Sequence, residues 1–425
     1  MNQPVLGVIA DDTTGATDVA SMLVRAGMRT VQCLGVPKPD EPAPPADALV
    51  VALKSRTAPV DEAVAQSLAT LRWLQRAGAR RFYFKVCSTF DSTPAGNIGP
   101  VADALLAALD ARFTIVCPAF PENGRSVYRG HLFVGDQLLS DSGMRHHPLT
   151  PMTDSNLVRV LQAQTRQRVG LLAHDDVAAG AAAAQQRIAA LQGEGVVMAI
   201  ADAVSNAQLR TLAAATLDLP LLVAGSGLAL GLPDLYAECG WVTLDRAAAR
   251  LDAQTGAAAV LAGSCSQATQ GQVAAWRDAG RPARAIDARA LAAGRPVVDE
   301  ALAWARAQLA TGPVLLHATV APDELKAVQA ELGVAEAGAL VEGALAAIAQ
   351  GLTTFGVQRL VVAGGETSGA VVQALGVRQL RIGAPICPGV PWTQAGARPL
   401  WLALKSGNFG GPRFFEDALA MGEAA

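Results

Sequence analysis

The sequence predicts an α/β protein of two domains, each a mostly parallel sheet flanked by helices. Two observations carry this. Short Val/Ile/Leu runs alternate with Ala-rich helical stretches along the whole chain. The runs are continuously apolar rather than alternating, as in strands covered on both faces. The length of 425 residues allows two or three domains, at roughly 150 residues per domain.

The expected strands of the first half are residues 5–10, 48–53, 81–86, 113–117, 169–173, 196–201 and 219–223. Each is followed by a turn and usually a helix, with residues 16–26, 60–77, 99–109 and 179–192 as the clearest helices. The rhythm breaks over residues 241–252, where a short charged segment intervenes. It resumes with strands at 257–261, 313–317, 359–363 and 400–404. The expected division is therefore 1–245 and 246–425. The Pro-rich stretch 37–45 reads as a surface loop. Residues 120–153 are polar and weakly periodic and read as one long loop, of the kind that serves as a lid or substrate wall.

Composition narrows the function. Lys+Arg number 34 against 37 Asp+Glu, a net charge of −3 that argues against a nucleic-acid partner. The mean hydropathy of +0.28 comes largely from alanine. No apolar stretch is long and clean enough to span a bilayer, so no membrane partner is expected. The start, MNQPVLGVIADD, lacks a basic segment before its apolar run and does not read as a signal peptide. Six cysteines are scattered without a C-x-x-C pair, which suits reduced thiols in a cytoplasmic protein. No His or Cys spacing suggests a resident metal.

Chemistry concentrates at strand ends, where open α/β sheets place ligands. The first candidate is VIADDTTGATD, residues 8–18. In an extended turn the side chains of Asp11 and Asp12 point apart, so one would act on substrate as base while the other orients a neighbour or meets hydrated Mg2+. The plain alternative is a helix cap, which accounts for one aspartate and not both.

The second candidate is FKVCSTFDSTPAGNIG, residues 84–99. Lys85 would neutralise a carboxylate, while Ser88, Asp91, Ser92 and Asn97 would bond hydroxyls; a capping turn explains Asp91 but not the set. Arg56, just past the second expected strand, joins them by its position. Arg125, with His131, Arg145 and His147, belongs to the densest cationic stretch of the chain.

The second half carries three glycine turns of phosphate-binding type, LAGSCSQATQ (261–270), VAGGETSG (362–369) and LKSGNFGG (404–411). In the first two, glycine and Ser/Thr follow a buried strand and open a helix, whose free N–H groups favour a phosphate. There is no G-x4-G-K-[ST] and no HRD or DFG, which excludes P-loop NTPases and protein kinases. GSGLALG (225–231) resembles a dinucleotide turn only loosely, and a tight strand-to-helix turn explains it better than a dehydrogenase does.

ADDTTGATD, FKVCSTFDSTPAGNIG, GGETSG and LKSGNFG, in this order and spacing, resemble the four-carbon acid-sugar kinase family along essentially the entire chain. The segment CPAFPENGRSVYRGHLFVGDQLLSDSGMRHHPLTPMTD resembles the branch acting on 3-oxo-tetronates. Thr13 departs from the bulky apolar residue usual there, while Asp11, Asp12 and Gly15 match.

The resemblance implies an N-terminal acid-sugar domain, a C-terminal ATP domain and an active site in the cleft between them. It implies ATP-dependent phosphorylation of the 4-hydroxyl of a 3-oxo-tetronate, with threonate or erythronate as the alternative acceptor; phosphoryl-transfer chemistry adds Mg2+ on the ATP phosphates. The ATP contacts implied are Ser264 or Ser266, Gly364, Gly365, Glu366, Thr367 and Gly407. The acid-sugar contacts implied are Asp11, Asp12, Arg56, Lys85 and the loop Ser88–Asn97; phosphoryl-transfer chemistry makes Asp12 the expected base, with Asp11 almost equally placed. A sugar-acid-binding module without catalysis is the reading outside the family. The Ala-rich exterior is compatible with a homodimer.

Overall fold

The computed structural model describes residues 3–147 and 149–423. It divides into two compact units, Met1–Ala249 and Arg250–Ala425.

The first unit is built on eight parallel strands. In chain order the strands are β1 (Leu6–Ala10), β2 (Thr30–Leu34), β3 (Ala48–Ala52), β4 (Arg81–Lys85) and β5 (Thr114–Cys117). Three short ones follow, β6 (Arg125–Tyr128), β7 (His131–Val134) and β8 (Gln137–Leu138), then β9 (Arg168–Leu172), β10 (Val196–Ala201) and β11 (Leu221–Ala224). The main sheet runs β2-β3-β1-β4-β11-β5-β10-β9, every pairing parallel. Strands β1 (LGVIA) and β3 (ALVVA) are buried at every position, which is why they read as unbroken apolar runs. From β1 the chain turns to β3 on one side and later to β4 on the other, which makes the carboxyl end of β1 a switch point.

Strand β2 was not expected, because Gln32 interrupts its apolar run. Gln32 is fully buried; its Oε1 accepts a hydrogen bond from Thr17 Oγ1 at 3.0 Å, while its Nε2 has no partner among the described residues. Residues 120–153 are not one long loop. Their described residues include the antiparallel sheet β6-β7-β8 and three short 3-10 turns, the last ending at His146. The β6–β7 turn places Arg129 and Gly130 at φ 51° and 74°. Its N–H groups are held by the buried Asp202, which accepts from Arg129 N at 2.7 Å, Gly130 N at 2.9 Å and His174 N at 2.9 Å.

The second unit holds β12 (Ala257–Ala262), β13 (Ala283–Ala285), β14 (Val314–His317), β15 (Val357–Ala363), β16 (Gln379–Cys387), β17 (Val390–Ala395) and β18 (Trp401–Lys405). Their order is β13-β14-β12-β15-β18-β17-β16. The first five are parallel, while β16 and β17 are antiparallel to their neighbours. These two were not expected, since Pro385 and Pro391 argue against a strand. The register shifts around Pro385 show how the pair tolerates them, prolines being confined to bulges and edges. Trp276, Trp392, Trp401, Phe414 and Phe415 form the aromatic part of this unit's core. No single helix among the described residues is long and apolar enough to cross a membrane.

Candidate active site

In the first unit the polar residues gather where β3, β1 and β4 end side by side. Backbone bonds stitch these ends together: Asp11 N donates to Lys85 O at 3.2 Å, and Ser55 N and Arg56 N donate to Asp11 O at 3.0 and 3.2 Å. Arg56 then reaches back over β1. Its Nε and Nη2 meet Asp11 Oδ2 and Oδ1 at 2.9 Å each, and Nη2 meets Asp12 Oδ1 at 2.6 Å. Asp91 Oδ2 lies 3.6 Å from Nη1. Asp11 and Asp12 therefore do not point apart as expected from the extended turn. Asp12 is extended (φ −148°, ψ 162°), yet one guanidinium from the turn after β3 draws both carboxylates to itself.

Asp12 also caps the helix Thr13–Arg25, accepting from Gly15 N at 3.0 Å. Cap and ion pair thus coexist on one carboxylate. Burial raises the Asp12 pKa, and the neighbouring Asp11 charge adds to the rise, against the pull of Arg56 and Lys85. Burial alone would depress the Arg56 pKa, but its carboxylate neighbours lift it well above the ordinary value.

Lys85 is 3% exposed and donates to Val86 O at 2.8 Å. A Cβ on Gly15 would stand 2.3 Å from Asp12 Oδ1 and 2.9 Å from Lys85 Nζ, so only glycine lets the lysine approach the helix start.

The following loop is mostly tied inward. Asn97 Nδ2 donates to the carbonyls of Ser55 at 2.7 Å, Ala58 at 2.9 Å and Arg56 at 3.3 Å, which fixes the turn carrying Arg56. Its Oδ1 is buried without a partner among the described residues. Ser92 Oγ accepts from Gln164 Nε2 at 2.9 Å, and Thr89 Oγ1 donates to Asp91 Oδ1. Ser88 stays half-buried beside them. Phe90 holds φ 54° while fully buried, a conformation that costs of order 1–3 kcal/mol and persists only where its surroundings enforce it.

Arg125, at the start of β6, donates from Nη1 to Asn123 O and leaves Nε buried without an acceptor among the described residues. The other cations of its stretch bond locally, Arg145 to Ser140 O at 3.3 Å and His147 Nδ1 to Thr150 N at 3.1 Å.

In the second unit the three glycine turns follow β12, β15 and β18, which are neighbours in the sheet. Gly263 N and Ser264 N donate to Ala363 O at 3.0 and 3.2 Å, and Gly364 N donates to Lys405 O at 2.9 Å. Ser266 Oγ and Thr269 Oγ1 both donate to Gly407 O, at 2.6 and 2.8 Å. A Cβ on Gly407 would lie 2.2 Å from Ser264 Oγ, so the first and third turns touch through a missing side chain.

The helix Gly365–Ala374 starts at Gly364 with no side-chain cap, leaving first-turn N–H groups free. The first two turns form one end of a cavity of about 540 Å³, through Gly263, Ser264, Gly364, Gly365, Glu366 and Thr367, while the third stands behind the first. Apolar residues from other elements, among them Ile286, Val320, Leu325, Val328 and Val341, line the remainder together with Asp287, Arg289, Glu324 and Glu342. Amides at one end and aliphatic walls at the other suit a phosphate carrying an apolar ring system.

Lys405 was missed, although it ends a hydrophobic strand just as Lys85 does. It is 1% exposed, and its ammonium donates to Gly407 O at 3.0 Å, Thr269 Oγ1 at 3.1 Å and Ser406 O at 3.2 Å. Burial lowers its pKa to about 8. Asp18, one turn and a half into the first helix, was missed too. Gly225 owes its identity to packing, since a Cβ there would stand 2.6 Å from Pro118 O, which fits the tight-turn reading of residues 225–231.

Residues 6–232 match a family model described as Sugar-binding N-terminal domain, and residues 259–415 one described as Nucleotide-binding C-terminal domain. A 3-oxo-tetronate kinase of Cupriavidus necator is 63% identical over 98% of this chain and 97% of its own. A Salmonella typhimurium protein of the same name is 48% identical over 96% and 97%. The crystal structure of Haemophilus influenzae protein HI1011 superposes with a TM-score of 0.86 at 45% identity, covering 98% of this chain and 99% of that one. The chain belongs to the four-carbon acid-sugar kinase family, within which it groups with the 3-oxo-tetronate kinases.

Proposed function

We propose that the protein transfers the γ-phosphoryl group of ATP to the 4-hydroxyl of a 3-oxo-tetronate. The observation that carries this reading is the meeting of the first two glycine turns on a cavity of about 540 Å³, with the third turn bonded to the first through Gly407 O, in the unit matched by the nucleotide-binding model. The full-length similarity to proteins named 3-oxo-tetronate kinase supplies the acceptor. ATP and a sugar acid are the substrates, and the cytoplasm is the compartment that holds both.

The first unit binds the acid. Lys85 neutralises its carboxylate, and the loop Ser88–Asn97 lines its hydroxyls. Asp12, aligned by Arg56 and by the helix start, accepts the proton of the 4-hydroxyl as its oxygen attacks the γ-phosphorus. The bond from the γ-phosphorus to the β–γ bridging oxygen breaks, and ADP leaves. Free amides of the Gly364–Thr367 helix start and the turn at Gly407 hold the phosphates, so positioning and charge compensation carry most of the catalysis.

Among the described residues no cluster of three or more metal-binding side chains occurs, which is compatible with Mg2+ because that ion usually takes one or two carboxylates with water and substrate oxygens. Glu366, at the cavity's phosphate end, fits as such a carboxylate. When bound, Mg2+ would offset charge on the phosphate oxygens.

A coupled assay of ADP release over a panel of tetronates and their 3-oxo forms tests the reading. Turnover is expected on a 3-oxo-tetronate. Turnover on D-threonate with none on 3-oxo acids would overturn the acceptor, and binding without ADP release would favour the non-catalytic module.

A further inference from the structure

One carboxylate beside the proposed acid site has no assigned task. Asp18 lies on the helix Thr13–Arg25, half-buried, and its Oδ1 is sealed from solvent with no hydrogen-bond partner among the described residues. A buried acceptor in that state is costly unless something else satisfies it.

Its surroundings are equally unfinished. The Ser226 hydroxyl, 1% exposed at the end of β11, has no partner of good geometry, and neither does Arg125 Nε. Burial raises the Asp18 pKa, while the Lys85 charge, a poorly aligned hydrogen bond from the Ser226 hydroxyl and the Arg125 charge lower it. An acceptor, an N–H donor and a hydroxyl that can do either therefore lie near one another, none with a hydrogen bond of good geometry among the described residues. The complement of that set is a hydroxyl next to a carbonyl.

A 3-oxo-tetronate has that pattern at C2 and C3. Its 4-hydroxyl is the phosphorylated one, which leaves the 2-hydroxyl as its one other O–H donor. Resting on the kinase reading above, we infer that Asp18 is the specificity residue that accepts a hydrogen bond from the substrate's 2-hydroxyl. Ser226 and Arg125 then donate to the neighbouring oxo group. Asp18 takes no proton in the reaction, and the separation of tasks follows the chain: Asp12 at the start of the helix, Asp18 further along, and the Lys85 ammonium acting on both.

The test is a cycle between the protein and its ligand. Wild type and Asp18→Asn are each titrated calorimetrically, without ATP, with 3-oxo-tetronate and with 4-hydroxy-3-oxobutanoate, which lacks the 2-hydroxyl. Wild type should bind the 2-deoxy acid about ten- to a hundred-fold more weakly, the range of one hydrogen bond to a charged group. Asp18→Asn should lose a similar factor on 3-oxo-tetronate and little on the deoxy acid. In turnover the loss should appear in KM for the acid, with kcat and KM for ATP nearly unchanged.

Equal penalties on both ligands, or a collapse of kcat on both, would overturn the assignment. If Asp18→Asn does not fold, the wild-type pair of titrations decides, because equal affinity for the two acids excludes any reader of the 2-hydroxyl. Binding without turnover would overturn the kinase reading alone and leave this inference standing or falling on the affinities.

Discussion

Arg56 Nη2 lies 2.6 Å from Asp12 Oδ1 and 2.9 Å from Asp11 Oδ1, so one guanidinium holds two sequence neighbours together. Its donors are largely committed to protein carboxylates, which makes it a holder of the site more than a ligand for the acid. Arg56→Ala leaves these carboxylates with only Lys85 as a nearby counter-charge. Breaking one side of a buried pair costs about 3–5 kcal/mol, and denaturant titration should show a loss of that order. Arg56→Lys keeps the charge but not the fork, and should lower kcat more than it raises KM for the acid. A selective rise in that KM with unchanged kcat would instead place Arg56 on the substrate.

Asp12 and Asp11 should separate on mutation. Asp12→Asn removes the proposed proton acceptor and should lower kcat by about 100- to 10,000-fold. Asp11→Asn should cost stability and alignment but retain measurable turnover. The pKa of Asp12 is raised by burial, so the group takes up its proton at a higher pH than an ordinary aspartate. The acid limb of kcat/KM should therefore lie above the ordinary aspartate range, with activity lost as pH falls through it. Near-normal turnover by Asp12→Asn would remove Asp12 as the base.

The parts of this molecule legible in the sequence are those where one physical demand dominates. Strands such as Leu6–Ala10 and Ala48–Ala52 are wholly buried, so their composition announces them. Thr30–Leu34 hides because a buried glutamine finds its partner on a helix, which no local pattern reveals. Residues 379–395 hide because prolines sit at bulges. In the site, Asp12 and Lys85 stand out as polar groups ending apolar strands. Lys405 ends one too, but the glycines after it draw the reading to the turn. Asp18 closes the first motif, but its role is not legible there, since Lys85, Ser226 and Arg125 act on it from three distant elements.

Gly407→Ala probes the contact between the first and third glycine turns. The added methyl would stand 2.2 Å from Ser264 Oγ and 2.9 Å from Ser266 Oγ. Rotating Ser264 away forfeits the bond it accepts from Ser266 N at 3.2 Å, so relief comes only by moving the turn. Free amides at the phosphates lose alignment, and KM for ATP should rise about ten-fold or more, the effect of losing one good hydrogen bond. KM for the acid sugar should hold. An equal rise in both constants would show a general loss of folding, not a local one.

Lys405 should impose an alkaline limb on ATP use. Its ammonium uses its three N–H groups on Gly407 O, Thr269 Oγ1 and Ser406 O, and burial brings its pKa down to about 8. As pH rises past that value the amine keeps two donors and loses the charge that complements the phosphates. KM for ATP should climb above pH about 8 in the wild type and stay flat with pH, though higher throughout, in Lys405→Met. Stability should move the other way. The folded state holds this proton less tightly than the unfolded chain, so the charged lysine disfavours folding below pH 8. That handicap shrinks as pH rises from about 8 toward the ordinary lysine value. Weakening ATP binding therefore coincides with a rising contribution of this residue to stability, which separates deprotonation of Lys405 from alkaline unfolding. The measurement is KM for ATP and thermal midpoint across pH 7 to 10 for both proteins, and an alkaline limb that survives in Lys405→Met would assign it to another group.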